Sequence, residues 1–298
     1  MLWGIGVVVG LGCALLGYSL HGGNIVVLWQ PTEVLSIVGL AVGYLIASNT
    51  GRNLKATMAA IPKAFKSPSA TKRKCLDLLC LLFEILQKIR RDGLMSLEAD
   101  IEEPDSSPLF EKYPSIAKDH HLTEFICDYL RMMLGGSLNI QQVEALMEQE
   151  LETHHAEAHV PVTIIGKMAD AFPAFGIVAA VMGVVMVMGS IGLPPAELGK
   201  LIGAALVGTF LGILMSYSVT GPISSALEQN EEVESKTFLA VKAVLLASLN
   251  GFPPQAAVEF GRKVLFSDMR PTFKSSSASR KLLAGMAVGS GKLPTQTS

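Results

Sequence analysis

The chain has 298 residues, half of them hydrophobic and 17% charged, with a mean hydropathy of +0.43. That composition sets aside an ordinary soluble domain and points to the membrane class. The formal net charge of -2 conceals two charged blocks, Arg52 to Asp170 and Glu228 to Lys292, which read as the aqueous parts.

A hydrocarbon core of about 30 Å needs about 20 apolar residues of helix. The first run, Leu2 to Leu20, has no lysine or arginine before it and reads as a retained transmembrane helix over 1–20 rather than a signal peptide. Residues 21–31 lack basic residues and are expected outside, as a periplasmic loop. The second span, 32–50, is built on the shorter run Val34 to Ala47; the helix-initiating Pro31-Thr32-Glu33 and Ser48 lengthen it. Arg52, Lys55, Lys63, Lys66, Lys72, Arg73 and Lys74 then place 51–169 in the cytoplasm.

Within that block Lys74 to Arg91 and Leu122 to Leu134 read as apolar helices and Ile140 to His159 as an acidic one, with no strand alternation. Leu76 to Leu86 is too short to span a bilayer and is interrupted by Asp77 and Glu84, so a buried soluble helix is expected. A third span follows over 170–192, a periplasmic loop over 193–200 and a fourth span over 201–221. A cytoplasmic helical segment, 222–274, contains the turn Asn250-Gly251-Phe252-Pro253-Pro254, and 275–298, rich in Ser, Gly, Lys and Thr, reads as a disordered tail. The expected fold is an all-α integral membrane protein: four transmembrane helices, a helical cytoplasmic domain between helices 2 and 3, and a cytoplasmic C-terminal helical segment, with both termini cytoplasmic.

The spans carry no Asp, Glu, Lys, Arg or His away from their ends. Such residues mark ion paths in membranes, so a titrating group has to come from a partner helix if ions pass. Gly6 and Gly10, Ala179, Ala180 and Gly183, and Gly208 and Gly212 allow close helix approach, either by a partner or by the chain's own helices. Thr209 lies mid-span, where its hydroxyl either bonds its own backbone or faces an interior path. Pro173 and Pro222 both fall at the cytoplasmic face, as plain helix-terminus residues or as loosened points of a hinge.

In the cytoplasmic block Lys88, Arg90 and Arg91 are followed by Glu98, Asp100, Glu102, Glu103 and Asp105. Nucleic acid and lipid surfaces select net basic patches, so this mixture suits a solvated, salt-bridged turn or a protein partner. His155 and His159 are four apart, but no third ligand accompanies them and no metal site is expected. Cys13, Cys75, Cys80 and Cys127 have neither disulfide-framework nor zinc spacing. There is no Walker loop, Gly-x-Ser-x-Gly or dinucleotide fingerprint, so neither an enzyme nor a bound cofactor is expected.

The stretch Met168-Ala-Asp-Ala-Phe-Pro-Ala-Phe-Gly-Ile-Val-Ala-Ala-Val-Met-Gly-Val-Val185 resembles the third-span signature of the flagellar stator A subunits, the MotA family of the MotA/TolQ/ExbB superfamily. Leu206-Val-Gly-Thr-Phe-Leu-Gly-Ile-Leu214, Glu144-Ala-Leu-Met, Glu152-Thr-His, Leu249-Asn-Gly-Phe-Pro-Pro and Val258-Glu-Phe-Gly-Arg-Lys263 resemble the same family, and the likeness runs from the first helix to about Pro271. It implies a pentamer of this chain in the bacterial inner membrane around a dimer of a MotB-type B subunit, whose aspartate carries the proton. It also implies that Arg90 and Glu98, with Glu150 less directly, contact the rotor switch protein FliG. By the same likeness Pro173 and Pro222 transmit conformational change, and Thr209 lies near the ion path. Sodium-driven relatives carry a hydroxyl residue where this chain has Ala180, so the resemblance favours H+, with Na+ as the alternative ion. An ExbB/TolQ-like energiser and a passive membrane scaffold remain as other readings.

Overall fold

In lipid a lone apolar segment satisfies its own peptide groups by coiling into a helix, and the same economy governs the whole chain. The computed structural model describes residues 2–65, 71–136 and 139–272, and among them the regular elements are helical throughout. The expected tail, 275–298, lies outside the described residues. The chain divides into two units, Met1–Ser67 with Ala156–Glu231, and Pro68–His155 with Glu232–Ser298.

The first unit begins with α1 (Leu2–Leu20), a single 3-10 turn at Ile25–Leu28, and α2 (Pro31–Ser48). The Asn24 side chain accepts from Val26 N–H to start the turn. Pro31 occupies the first helical position of α2, where its missing N–H costs nothing. Thr50 caps α3 (Gly51–Ala64) by accepting from Asn53 N–H. Elsewhere in the chain α9 (Ile140–Met188) runs 49 residues through Pro161 and Pro173. It is followed by α10 (Pro195–Leu214), one π-helical turn at Met215–Thr220, and α11 (Gly221–Leu249).

Three stretches are long and apolar enough to cross a membrane: Ile25–Ser48, Ile140–Met188 and Pro195–Leu249; Gly4–Leu20 is a shorter apolar helix. Ile37 and Ala41 of α2 bury against Phe172 and Ala179 of α9. Nearer the charged end of the unit, Ala64, Val162, Ile165 and Leu227 form a second cluster. There the Ser224 hydroxyl donates to Val162 O at 3.0 Å and His159 Nδ1 lies 3.0 Å from Glu231 Oε2.

Helix continues through Pro222, a boundary residue by sequence. The proline ring cannot donate and crowds the carbonyl four residues back, at Ser218. The chain widens into the π turn instead of stopping, and Gly221 N–H donates to Ser216 O five residues back.

The second unit has a conventional aqueous core. Leu78, Leu79, Leu81, Leu82 and Ile85 of α4 (Lys72–Asp92) are buried, with Phe83 beside them. Burying one such side chain contributes about 1.5–3 kcal/mol, which is why this run forms the centre of a domain. Around it lie the short helices α5 (Glu98–Glu102), α6 (Pro108–Glu111) and α7 (Pro114–Ala117), then α8 (His120–Gly135) and α12 (Pro254–Val264). Phe125 of α8 meets Tyr129 edge-on at 4.8 Å and Phe238 of α11 at 5.4 Å. Lys74 and Asp119, both largely buried, pair at 2.6 Å, and Asp119 also caps α8 by accepting from Leu122 N–H. Cys75, Cys80 and Cys127 are buried thiols outside any disulfide. Burial pushes the Cys75 thiol up to about 11 and the Cys127 thiol up to about 12.

Candidate functional site

The membrane unit contains a close seam between α9 and α10 made possible by the absence of side chains. A Cβ on Gly212 would stand 2.7 Å from Phe172 O and 2.7 Å from Gly176 Cα, and one on Gly176 would stand 2.7 Å from Gly208 O. Further along, a Cβ on Gly183 would meet Ala205 Cβ at 2.7 Å. These glycines therefore serve the chain's own helix packing, the plainer of the two sequence readings. Gly6 and Gly10 of α1 differ, since a Cβ at either meets nothing within 4 Å.

Ala180 belongs to this seam, and Thr209 is next in sequence to its Gly208. Ala180 is buried, and its amide nitrogen lies 3.1 Å from where a Gly208 Cβ would be. Thr209 follows Gly208 and is half-buried. Its hydroxyl makes no hydrogen bond to its own helix among the described residues, unlike Ser36, which donates to Thr32 O, and Ser190, which donates to Met186 O. Pro173 lies beside the tightest part of the seam, one residue past Phe172 and three before Gly176, and Pro222 lies just past the π turn.

One residue escaped the sequence reading. Glu33 counts as a helix-initiating end residue by position, yet its carboxylate reaches the seam: a Cβ on Gly208 would stand 2.9 Å from Glu33 Oε2 and one on Gly183 3.8 Å from Oε1. Its signal was an acidic residue inside a stretch long enough to cross a membrane.

The second unit carries the charged positions. Gly93, at φ +82, closes α4 and turns the chain into a 3-10 turn, Leu94–Leu97, that leads to α5. Arg90 and Glu98 flank this tip; both are exposed, and neither has an ion-pair partner among the described residues. Behind them Lys88 pairs with Asp100 at 2.5 Å, and the Ser107 hydroxyl donates to Asp100 at 2.6 Å. At the tip itself Arg91 pairs with Asp92 at 2.7 Å, which leaves Arg90 and Glu98 as the exposed charges without an ion pair there. Glu150 has a different setting, accepting from Tyr129 Oη at 2.6 Å. It lines a pocket of about 280 Å³ with His121, Glu124, Asp128 and His154, among others, that includes neither Arg90 nor Glu98.

Long apolar helices joined by a glycine seam, together with a charged helical domain, define a multi-pass membrane protein. Residues 117–239 match the MotA/TolQ/ExbB proton channel family, and residues 4–93 match the motility protein A N-terminal family. Motility protein A of Escherichia coli (strain K12) is 46% identical over 273 residues, 92% of each chain. Chemotaxis protein LafT of Vibrio parahaemolyticus is 37% identical over 269 residues, 90% of this chain and 94% of the relative. The solved structure of C. jejuni MotAB superposes with a TM-score of 0.75 at 20% identity, covering 91% of this chain and 98% of that one. The MotAB stator complex of Bacillus subtilis gives 0.70 at 23% identity, covering 86% and 92%. The chain belongs to the motility protein A family.

Proposed function

We propose that this chain is the ion-conducting A subunit of a bacterial flagellar stator, which works with a MotB-type B subunit to turn ion flow across the inner membrane into torque on the rotor. The observation that carries the reading is the seam. Ala180 and Thr209 lie on two helices that pack backbone to backbone, with no ionisable side chain between Ala171 and Met188 or between Leu201 and Leu214. Such helices can line a path and leave the titrating group to a partner.

In this reading the chain crosses the membrane four times with both termini in the cytoplasm. Five copies surround a dimer of the B subunit, whose aspartate takes up and releases the proton beside Thr209. Protonation removes a charge from the seam's neighbourhood and alters how α9 and α10 pack against the partner helix. Pro173, at the tightest crossing, and Pro222, past the π turn, are where the helices give way. The chain passes between its two units within α9 and α11, so a change in either helix has a covalent route to the charged tip. Arg90 and Glu98 engage FliG through their unpaired charges; Glu150 supports α8 through Tyr129 and acts on the rotor less directly. Each charge crossing 100 mV supplies about 2.3 kcal/mol.

Ala180 favours H+, since an alanine side chain offers no oxygen to a partly dehydrated sodium ion. The test is motility in cells lacking their own A subunit, supplied with this chain and its B subunit. Swimming that a proton uncoupler abolishes and sodium removal spares is the expected result. Dependence on sodium would reverse the Ala180 assignment, and a correctly assembled complex without motility would overturn the stator reading.

A further inference from the structure

In the second unit two histidines meet in a pocket that the stator reading leaves without a task. His121 of α8 and His154 of α9 have ring centroids 6.3 Å apart, and His154 also lies against Phe238 of α11 at 4.6 Å. Glu124, Asp128 and Glu150 line the same cavity of about 280 Å³. Neither imidazole has a hydrogen bond or an ion pair among the described residues. No three His or carboxylate groups among those residues converge as a metal ion requires. Two imidazoles beside three carboxylates make instead a site whose charge is set by protons, since histidine is the side chain that changes charge within the physiological pH range.

The geometry gives protonation a definite effect. Along α9 Glu150 precedes His154 by four residues, and along α8 Glu124 follows His121 by three, the spacings at which helical side chains meet. Asp128 lies two turns beyond His121 and has a second role, accepting from Arg131 Nη1 at 2.6 Å. Arg131 in turn donates to Glu102 Oε1 at 2.9 Å and to Ile101 O at 3.4 Å, at the end of the short helix α5 that begins with Glu98. Asp128 thus belongs both to the pocket and to the arm that holds α5 to α8. The other charges on these elements are Lys118, Asp119 and His120 before His121, Glu148, Glu152 and His155 around His154, and Glu234 and Lys242 one turn either side of Phe238. Of these, Asp119 pairs with Lys74 at 2.6 Å and Lys242 with Glu148 at 3.5 Å.

We propose that His121 and His154 form a proton-sensing pocket that couples pH to the hold on α5 and its Glu98. When the imidazoles take up protons they become cations, which draw Asp128 and Glu124 inward and repel the Arg131 guanidinium. Arg131 then loses one of its two carboxylates, the hold on α5 slackens, and the grip of the tip on the rotor weakens. Release of the protons restores the arm. The effect on α5 stands on the pocket alone, and its consequence for the motor rests on the stator reading above.

The test compares wild type with the double variant H121Q/H154Q, each with the B subunit in cells lacking their own A subunit. Benzoate lowers the internal pH from about 7.5 to about 6.5, across the range in which imidazole titrates, while swimming speed and membrane abundance are read. The driving force changes equally in both strains, so a difference between them belongs to the histidines. Wild type is expected to slow at least about twofold more than the double variant. As a readout independent of motility, hydrogen exchange is measured on the purified complex and corrected for the intrinsic effect of pH. The peptide covering 98–106 is expected to exchange several-fold faster at the lower pH in wild type and not in the variant.

Exchange that ignores pH in wild type, or that rises equally in the variant, would overturn the proposal. Equal slowing of both strains would overturn the coupling to the motor and leave the stator reading standing. A variant slowed by one factor at both pH values would reduce the histidines to packing and overturn it too. Should the double variant not reach the membrane, H121Q alone, at an exposed position, is expected to weaken the pH response, and an unchanged response overturns the proposal. A wild-type complex that does not restore swimming would bring down the stator reading, while the exchange measurement still decides the pocket.

Discussion

Lys88 Nζ lies 2.5 Å from Asp100 Oδ2, and this pair ties the end of the helix that carries Arg90 to the short helix that begins with Glu98. Asp100 is buried and also receives the Ser107 hydroxyl. The exposed pair at the tip is therefore held from behind by a satisfied ionic contact, and the spacing of the two unpaired charges depends on it.

Breaking that contact should weaken motor output without removing the protein. Asp100→Ala leaves Lys88 partly buried and unpaired, a cost on the order of 1–3 kcal/mol. The expected result is near-normal complex in the membrane, a thermal midpoint lowered by a few degrees, and swimming slowed several-fold. Restoration by the reciprocal exchange of the two residues would mark the pair itself as the cause.

The glycine seam predicts a sharp contrast between helices. Gly212→Val puts a branched side chain where even a Cβ would lie 2.7 Å from backbone, so α9 and α10 must separate and the complex should be nearly lost from the membrane. Gly10→Ala on α1 meets nothing within 4 Å and should leave membrane abundance within a factor of about two. Quantitative immunoblotting of membranes checks both.

Thr209→Val preserves shape and removes the hydroxyl. Because that hydroxyl bonds to no backbone of its own helix, stability should change by about 0.5 kcal/mol or less, while swimming speed falls several-fold; Thr209→Ser should keep most of it. Unchanged speed in the valine variant would favour a passive scaffold.

Buried thiols give a pH-dependent prediction in the second unit. Burial raises Cys75 to about 11 and Cys127 to about 12 because it disfavours the charged thiolate. The folded state therefore binds these protons more tightly than the unfolded state does. That contribution to stability is complete below the unfolded thiol value, about 8.5, and is lost as pH rises through 11 to 12. Alkylation by N-ethylmaleimide at pH 7.5 should leave both cysteines unmodified in the native complex and label both on denaturation, as read by mass spectrometry.

The legible parts of this chain were those governed by local pattern. The run Leu76 to Leu86, interrupted by Asp77 and Glu84, reads as a buried soluble helix, and α4 buries most of that run while Asp77 accepts from Ser115 and Glu84 from Lys112 and Tyr113. The π turn before Pro222 was not legible. A proline announces a missing donor, but whether the chain stops, kinks or widens depends on what packs around it. Glu33 starts α2 as its place in the sequence implies, but the reach of its carboxylate to Gly208 was not legible, since position along a helix says where a residue starts and not where a flexible side chain ends.

By itself, then, the sequence determined the helical class, the division into apolar and charged stretches, and the family, because hydrophobic run length, backbone self-satisfaction in lipid and motif identity are all local properties of the chain. The tertiary structure alone decided which glycines face a neighbour and which face open space, which of the tip charges are paired, and that the Glu33 carboxylate reaches Gly208. Those are distances between residues far apart in the chain, set by how helices cross, and no spacing read along one dimension contains them.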